Sequence, residues 1–190
     1  MDYTLVAIIS YLFGSIPFGF ILTKVIVKKD IRKIGSGNIG ATNALRTGNK
    51  LVGYLTLLFD VSKAIVPILY LKYNYPELIF ISSLCIFIGH LFPLWLRFKG
   101  GKGVAVYLGI LISINFKLAL VFGIFWVLFF LITKYSSLSS LVASSSIPIY
   151  VFLIYEKNVF FFIIMFILIF YTHRQNIKRL INKEETKTKI

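Results

Sequence analysis

From Tyr3 to about Thr23 the chain runs through roughly 20 residues that are almost all apolar, the length needed to cross a bilayer as a helix. Runs of the same kind recur at Leu51–Tyr73, Leu78–Leu96, Val104–Phe116, Leu118–Thr133, Leu141–Tyr155 and Val159–Tyr171. A soluble domain cannot bury that much apolar surface in a chain of 190 residues. The expected fold is therefore all-α and polytopic, with about seven transmembrane helices. The fourth and fifth runs, short and joined around Lys117, are expected to form a tight hairpin that does not fully cross. A hydrophobic fraction of 58% and a mean hydropathy of +0.85 agree with this class. The chain is read as one integral membrane domain over 1–190, with 183–190 as a flexible tail.

The formal charge of +14 would by itself suggest a nucleic-acid partner, so its placement decides the matter. Threading the runs alternately puts Lys24, Lys28, Lys29, Arg32, Lys33, Arg46 and Lys50 on one side. The same side receives Arg97, Lys99, Lys102, Lys134 and the basic residues from Arg174 to Lys189. Only Lys72, Lys117 and Lys157 fall on the other. Cationic residues are retained on the cytoplasmic side, which sets the N-terminus outside and the C-terminus inside. The charge then belongs to the membrane surface, and no nucleic-acid partner is expected. The first run has no basic stretch ahead of it, Asp2 being the only early charge, so it is read as a span and not as a cleavable signal. The single cysteine, Cys85, lies in an apolar run and allows no disulfide framework.

Three polar clusters fall on the cytoplasmic side. Gly35-Ser36-Gly37-Asn38-Ile39-Gly40-Ala41-Thr42-Asn43-Ala44-Leu45-Arg46 interleaves glycines with short hydroxyl and amide side chains and closes on an arginine. Lys99-Gly100-Gly101-Lys102-Gly103 sets lysines among glycines, whose amides can turn toward a phosphate with no Cβ in the way. His173-Arg174-Gln175-Asn176-Ile177-Lys178-Arg179-Leu180-Ile181-Asn182-Lys183-Glu184 places His173, Asn176 and Leu180 on one helical face. A basic flank or an ordinary connector would explain each cluster alone. Their shared side argues for an anion-binding site. Within the spans, Pro17 between Gly14 and Gly19 should kink the first helix, and Asp60 and Lys63 at i, i+3 can pair within the second. That pair is either a structural ion pair or a relay or clamp behind a site. Tyr135 to Ser140 reads as a hydroxyl-rich connector.

The chemistry open to such a site is narrow. His90 and His173 stand apart from other metal-ligand types, so no metal is expected. The glycine stretch is not a P-loop, because Gly103 follows Lys102 where Ser or Thr would hold magnesium, so ATP is not expected either. Five positions after His90 and His173 stand Trp95 and Lys178, so no His-x4-Asp acyltransferase dyad is present. The inventory suits a reaction whose substrates carry their own reactivity while the protein supplies orientation and charge.

In this order, with Tyr11 to Gly19, Asp60-Val61-Ser62-Lys63 and Ser136 to Ser140, the clusters resemble the bacterial acyl-phosphate:glycerol-3-phosphate acyltransferase family over nearly the whole chain. The resemblance implies transfer of a fatty acyl group from acyl phosphate to the 1-hydroxyl of glycerol 3-phosphate, giving lysophosphatidic acid and phosphate. It implies no cofactor, and a multi-pass protein of the bacterial inner or plasma membrane with its site on the cytoplasmic face. As catalytic residues it implies Ser36, Arg46, Lys102, His173, Asn176 and Glu184. As substrate-binding residues it implies Asn38, Thr42, Gly100, Gly101, Gly103 and Ser140. Ala64 and Asn182 stand where the family usually has glycine. The rival expectation is a transporter of a phosphorylated or acidic solute, coupled through Asp60 and Lys63. Such proteins usually bind near the midplane between repeated halves, and no internal repeat is visible here.

Overall fold

A computed structural model describes residues 2–154 and 157–188, so Tyr155, at the end of the sixth run, and Lys189, in the basic tail, lie outside the described residues. All regular structure among the described residues is helical. The chain divides into two compact units, residues 1–114 and 115–190.

The first unit begins with α1 (Tyr3–Ser15), capped by the Asp2 carboxylate, which accepts from Thr4 N at 2.9 Å. Pro17 does more than kink this helix. It forces Ile16 into an extended conformation (φ −64°, ψ 115°), so the helix stops and restarts as α2 (Phe18–Leu22), followed by a wide turn at Thr23–Val27. A short helix, α3 (Ala41–Leu45), and the long α4 (Lys50–Asn74) follow, the latter capped by Asn49 Oδ1 accepting from Val52 N. Then come α5 (Ile79–Leu91) and α6 (Val104–Ile114). α5 lies tight against α1. A methyl on Gly14 would overlap the Ile86 carbonyl and one on Gly89 the Tyr11 carbonyl, so small residues on both helices let the backbones touch. Ser10 Oγ and Ser82 Oγ, 2.7 Å apart, satisfy each other within this apolar seam. α6 packs on α4, and Lys72 Nζ donates to the carbonyls of Ser113 and Ile114 at its C-terminal end (2.7 and 3.1 Å).

The second unit holds α7 (Phe116–Thr133), α8 (Ser136–Leu153), α9 (Val159–Thr172) and α10 (Arg174–Ile181). α8 packs against both α7 and α9. The stretch expected as a hydroxyl-rich connector is the first turn of α8. In an apolar setting its serines satisfy themselves along the helix, with Ser139 Oγ donating to Tyr135 O (2.9 Å) and Ser140 Oγ to Ser136 O (2.8 Å). Serine therefore does not break a helix here. α9 and α10 meet at a bend of 61°.

By length and apolarity five segments could cross a membrane: Tyr3–Val27, Lys50–Asn74, Pro76–Leu96, Phe116–Thr133 and Ser136–Leu153. The bent α9–α10 pair makes six, against about seven expected. The difference is α6, whose 11 residues rise about 16 Å, little more than half of a hydrocarbon core of about 30 Å. The fifth run, expected to be short, is an 18-residue helix instead.

Candidate active site

The first polar cluster is a folded loop and not a loose connector. Its centre is Asn43, 2% exposed, whose Nδ2 donates to the carbonyls of Ile31 (3.2 Å), Ile34 (2.9 Å) and Asn38 (2.8 Å), while Oδ1 accepts from Ser36 N (3.0 Å). One amide thus replaces the missing secondary structure by tying four backbone groups together. Asn38 Oδ1 accepts from Gly40 N at 2.8 Å and shapes the entrance to α3. Beneath the loop lies an apolar core of Ile31, Ile39, Ala44, Val52 and Leu96. With its backbone held in this way, Ser36 is left exposed, Thr42 half-buried, and the Arg46 side chain lies against Gly35. Asn43 was not among the expected site residues. No periodicity marks it, because its partners come from a loop.

Leu96, in that same core, brings the second cluster beside the first. After α5 the chain makes a short 3₁₀ turn at Leu94–Leu96. It then passes through two consecutive left-handed residues, Arg97 (φ 53°) and Phe98 (φ 60°), a conformation costing about 1–2 kcal/mol for each non-glycine residue. The reversal returns Gly100 N to Leu91 O (3.0 Å) and Gly101 N to His90 O (3.1 Å). The expected cradle of glycine amides is corrected by these bonds, since both amides are committed to backbone carbonyls and cannot also face a ligand. What the loop presents instead is Lys102, half-buried, and the first amides of α6, which have no carbonyl one turn back and carry the positive end of the helix dipole. The glycines are needed for space. A methyl on Gly101 would overlap His90 Nε2, and one on Gly103 (φ +84°) would overlap the Phe87 ring. Beside the α1–α2 break, Ile16, Pro17, Phe20, Ile21, Trp95 and Leu96 line an apolar groove of ≈ 360 Å³.

One residue behind this loop departs from its sequence reading. Asp60 and Lys63 do pair, Nζ lying 2.8 Å from Oδ1, but His90 is not isolated. Its Nδ1 is 2.9 Å from the same Nζ. All three are at most 5% exposed.

The third cluster organises the second unit. His173 and Asn176 are both buried, on the face of α10 turned to the protein, as the spacing suggested. His173 Nδ1 donates to Ile169 O at 2.8 Å, so the remaining ring proton position, Nε2, is the basic nitrogen. Glu184 is exposed. The carboxylate that meets the cluster is Glu185, which accepts from Asn176 Nδ2 (2.6 Å), Ser137 Oγ (2.7 Å) and Arg179 Nε (2.7 Å). Burial pushes the Glu185 carboxyl up, but the three hydrogen bonds and the Arg179 charge outweigh it and hold the group below its ordinary value. Helical extrapolation misses Glu185 because α10 ends at Ile181 and Lys183, in the left-handed region (φ 60°), turns the chain back. The return continues to Thr188, whose N donates to Lys134 O (2.9 Å), so the segment expected as a loose tail is fastened at two points. Asn176 Oδ1 is buried with no hydrogen-bond partner among the described residues. Ser140 sits inside α8, its Oγ accepting from Trp126 Nε1 at 3.1 Å.

Residues 4–183 match the family model described as glycerol-3-phosphate acyltransferase. A glycerol-3-phosphate acyltransferase of Pelagibacter ubique is 68% identical over 190 residues, all of both chains, and one of Bartonella henselae is 50% identical, covering 96% of this chain and 90% of that one. Among solved structures, PlsY (YgiH), an integral membrane glycerol 3-phosphate acyltransferase, superposes in its glycerol 3-phosphate form with a TM-score of 0.92 at 35% identity. That match covers 97% of this chain and 94% of the other. Its lysophosphatidic acid form gives a TM-score of 0.89. With sequence and fold in agreement along almost its whole length, the chain belongs to the glycerol-3-phosphate acyltransferase family.

Proposed function

We propose that this protein transfers a fatty acyl group from acyl phosphate to the 1-hydroxyl of glycerol 3-phosphate, releasing phosphate and leaving lysophosphatidic acid in the bilayer. The observation that carries the reading is the loop at Lys99–Gly103. A half-buried lysine and a helix N-terminus there form an anion site beside the Ser36–Arg46 loop and an open apolar groove. Lys102, Arg46 and the α6 amides neutralise phosphate, Ser36, Asn38 and Thr42 orient the polar groups, and the groove at Trp95 and Leu96 takes the acyl chain. His173 and Asn176, with the Glu185 that holds Asn176, are assigned to the same reaction on the resemblance of their motif alone.

Acyl phosphate is already activated, so no covalent acyl-enzyme is required. The glycerol oxygen attacks the acyl carbonyl, the new ester C–O bond forms, and the bond from that carbon to the phosphate oxygen breaks. The hydroxyl proton passes to a phosphate oxygen of the substrates. No cofactor or metal takes part in these steps. The basic residues of all three clusters and the positive-inside rule support a cytoplasmic site in a bacterial inner membrane, a placement that counts α6 as a crossing although it is shorter than the other spans. The transporter reading is disfavoured by the pairing of Asp60 and Lys63 with His90, which ties both charges to this loop.

Protein purified in detergent should release phosphate from acyl phosphate only when glycerol 3-phosphate is added. Release without the acceptor, or activity confined to sealed vesicles, would overturn the assignment.

A further inference from the structure

Lys63 Nζ has three neighbours able to accept: Asp60 Oδ1 at 2.8 Å, the Ile16 carbonyl at 2.8 Å and His90 Nδ1 at 2.9 Å. An ammonium has N–H bonds and no lone pair, so beside its ion pair with Asp60 it donates to the Ile16 carbonyl and to His90, whose Nδ1 must be the accepting nitrogen. The proton of the neutral ring then sits on Nε2. That atom abuts the Gly101 Cα closely enough that a methyl there would overlap it, while the His90 carbonyl accepts from Gly101 N at 3.1 Å. One histidine therefore holds the glycine loop by its backbone and braces it with its ring. Charged side chains in an apolar helix are costly, and a pair that served only the packing of α4 would have no need of a histidine from α5.

We propose that Asp60, Lys63 and His90 form a positioning relay for acceptor binding: the ion pair fixes the His90 imidazole in its Nε2–H tautomer, and the fixed ring holds the Gly100–Gly103 loop in the shape that presents Lys102 and the α6 N-terminus to glycerol 3-phosphate. None of the three touches substrate. The inference rests on the reading of that loop as the glycerol 3-phosphate site.

Two measurements test it. With the full chain in detergent, His90→Gln, whose amide reaches the Nε2 position, keeps KM for glycerol 3-phosphate within about threefold of wild type. His90→Asn, which reaches only Nδ1, raises KM about tenfold or more with a smaller effect on kcat. Equal behaviour of the two variants, or an effect on kcat alone, overturns the relay. The second measurement needs no active-site variant. The chain has two histidines, so ¹⁵N-histidine labelling gives two imidazoles to resolve. His90 should carry its proton on Nε2 and His173 on Nδ1, where it donates to Ile169 O. In Lys63→Met the His90 ring should become a mixture of tautomers, with the His173 signals unchanged. An Nδ1–H His90 in wild type, or no change in Lys63→Met, refutes the proposal even if the variants of His90 fold poorly. Loss of the relay leaves acceptor-dependent phosphate release by wild type intact, whereas its absence in wild type refutes the parent reading.

Discussion

Gly101→Ala places a methyl group where the structure has no room for one. The added carbon would overlap His90 Nε2 and lie 2.7 Å from Cε1 and 3.1 Å from Cδ2. The ring cannot retreat freely, being 4% exposed and fixed at Nδ1 by Lys63. Moving the ring sacrifices a hydrogen bond to a charged group, worth about 1.5–3 kcal/mol, on top of an overpacking cost of about 1–3 kcal/mol. Moving the loop is cheaper, because Arg97 to Lys99 are exposed on its outer side. The loop therefore gives way and carries Lys102 with it. If about 1.5–3 kcal/mol of acceptor binding is lost, KM for glycerol 3-phosphate rises roughly 10- to 100-fold. The lost contacts exist before the transition state as well as in it, so kcat changes less. The assay is the initial rate of phosphate release against glycerol 3-phosphate concentration, with thermal melting to show that the variant is folded. A second background isolates the cause: with His90→Ala the methyl has space, and adding Gly101→Ala should cost little more. A folded Gly101→Ala enzyme whose KM stays within about twofold of wild type, or a full penalty retained in the His90→Ala background, would refute the steric argument.

Ser36→Ala should lower kcat roughly tenfold or more with little change in KM, because an exposed hydroxyl orienting the reacting groups acts mainly in the transition state; wild-type kinetics would remove Ser36 from the site. Glu185 has a folded value below its ordinary 4.5, so its stabilising effect is complete above about pH 4.5 and is lost as the pH falls through that lower value. Glu185→Gln should accordingly melt lower at neutral pH and lose this acid-sensitive step, and parallel melting curves for the two proteins over pH 3 to 6 would contradict the assignment. For topology, after Cys85→Ser, cysteines at Gly48 and Lys183 should be shielded from an impermeant thiol reagent in intact cells and one at Asn158 labelled; the reverse pattern would sink the cytoplasmic placement.

Much of the fold was legible because apolar run length acts locally, residue by residue. A disturbance at Pro17, expected as a kink and found as a break, and the pairing of Asp60 with Lys63 were likewise visible, each depending on neighbours within one helical turn. The errors share a physical origin in contacts between distant positions or in an apolar surrounding. Ser136–Ser140 reads as a connector by its propensity in water, but its hydroxyls close on carbonyls of the same helix. Glycine amides at 100 and 101 read as free until the chain reversal at Arg97 and Phe98 is known. Asn43 and Glu185 owe their importance to a loop and a returning tail, neither of which has a period. His90 looked isolated because its partner lies 27 positions earlier on another helix.

The carbonyl of Ile16, turned to Lys63 where Pro17 interrupts the first span, bears on how the protein is made. On its own, a helix with Asp60 and Lys63 near its centre meets an insertion cost of about 2.5–3.5 kcal/mol for each charge. The acceptor at Ile16 precedes α4 in the chain and so is synthesised before it, whereas His90 follows. The chain order thus supplies α4 with a docking group before its charges must leave water, and the second span should partition onto the first instead of into lipid alone. Deleting residues 2–22 should then reduce membrane integration of α4 in a translocation assay, and replacing both charges, Asp60→Leu with Lys63→Leu, should restore it. The interrupted first span thereby acts as an intramolecular insertion aid for the helix that follows it.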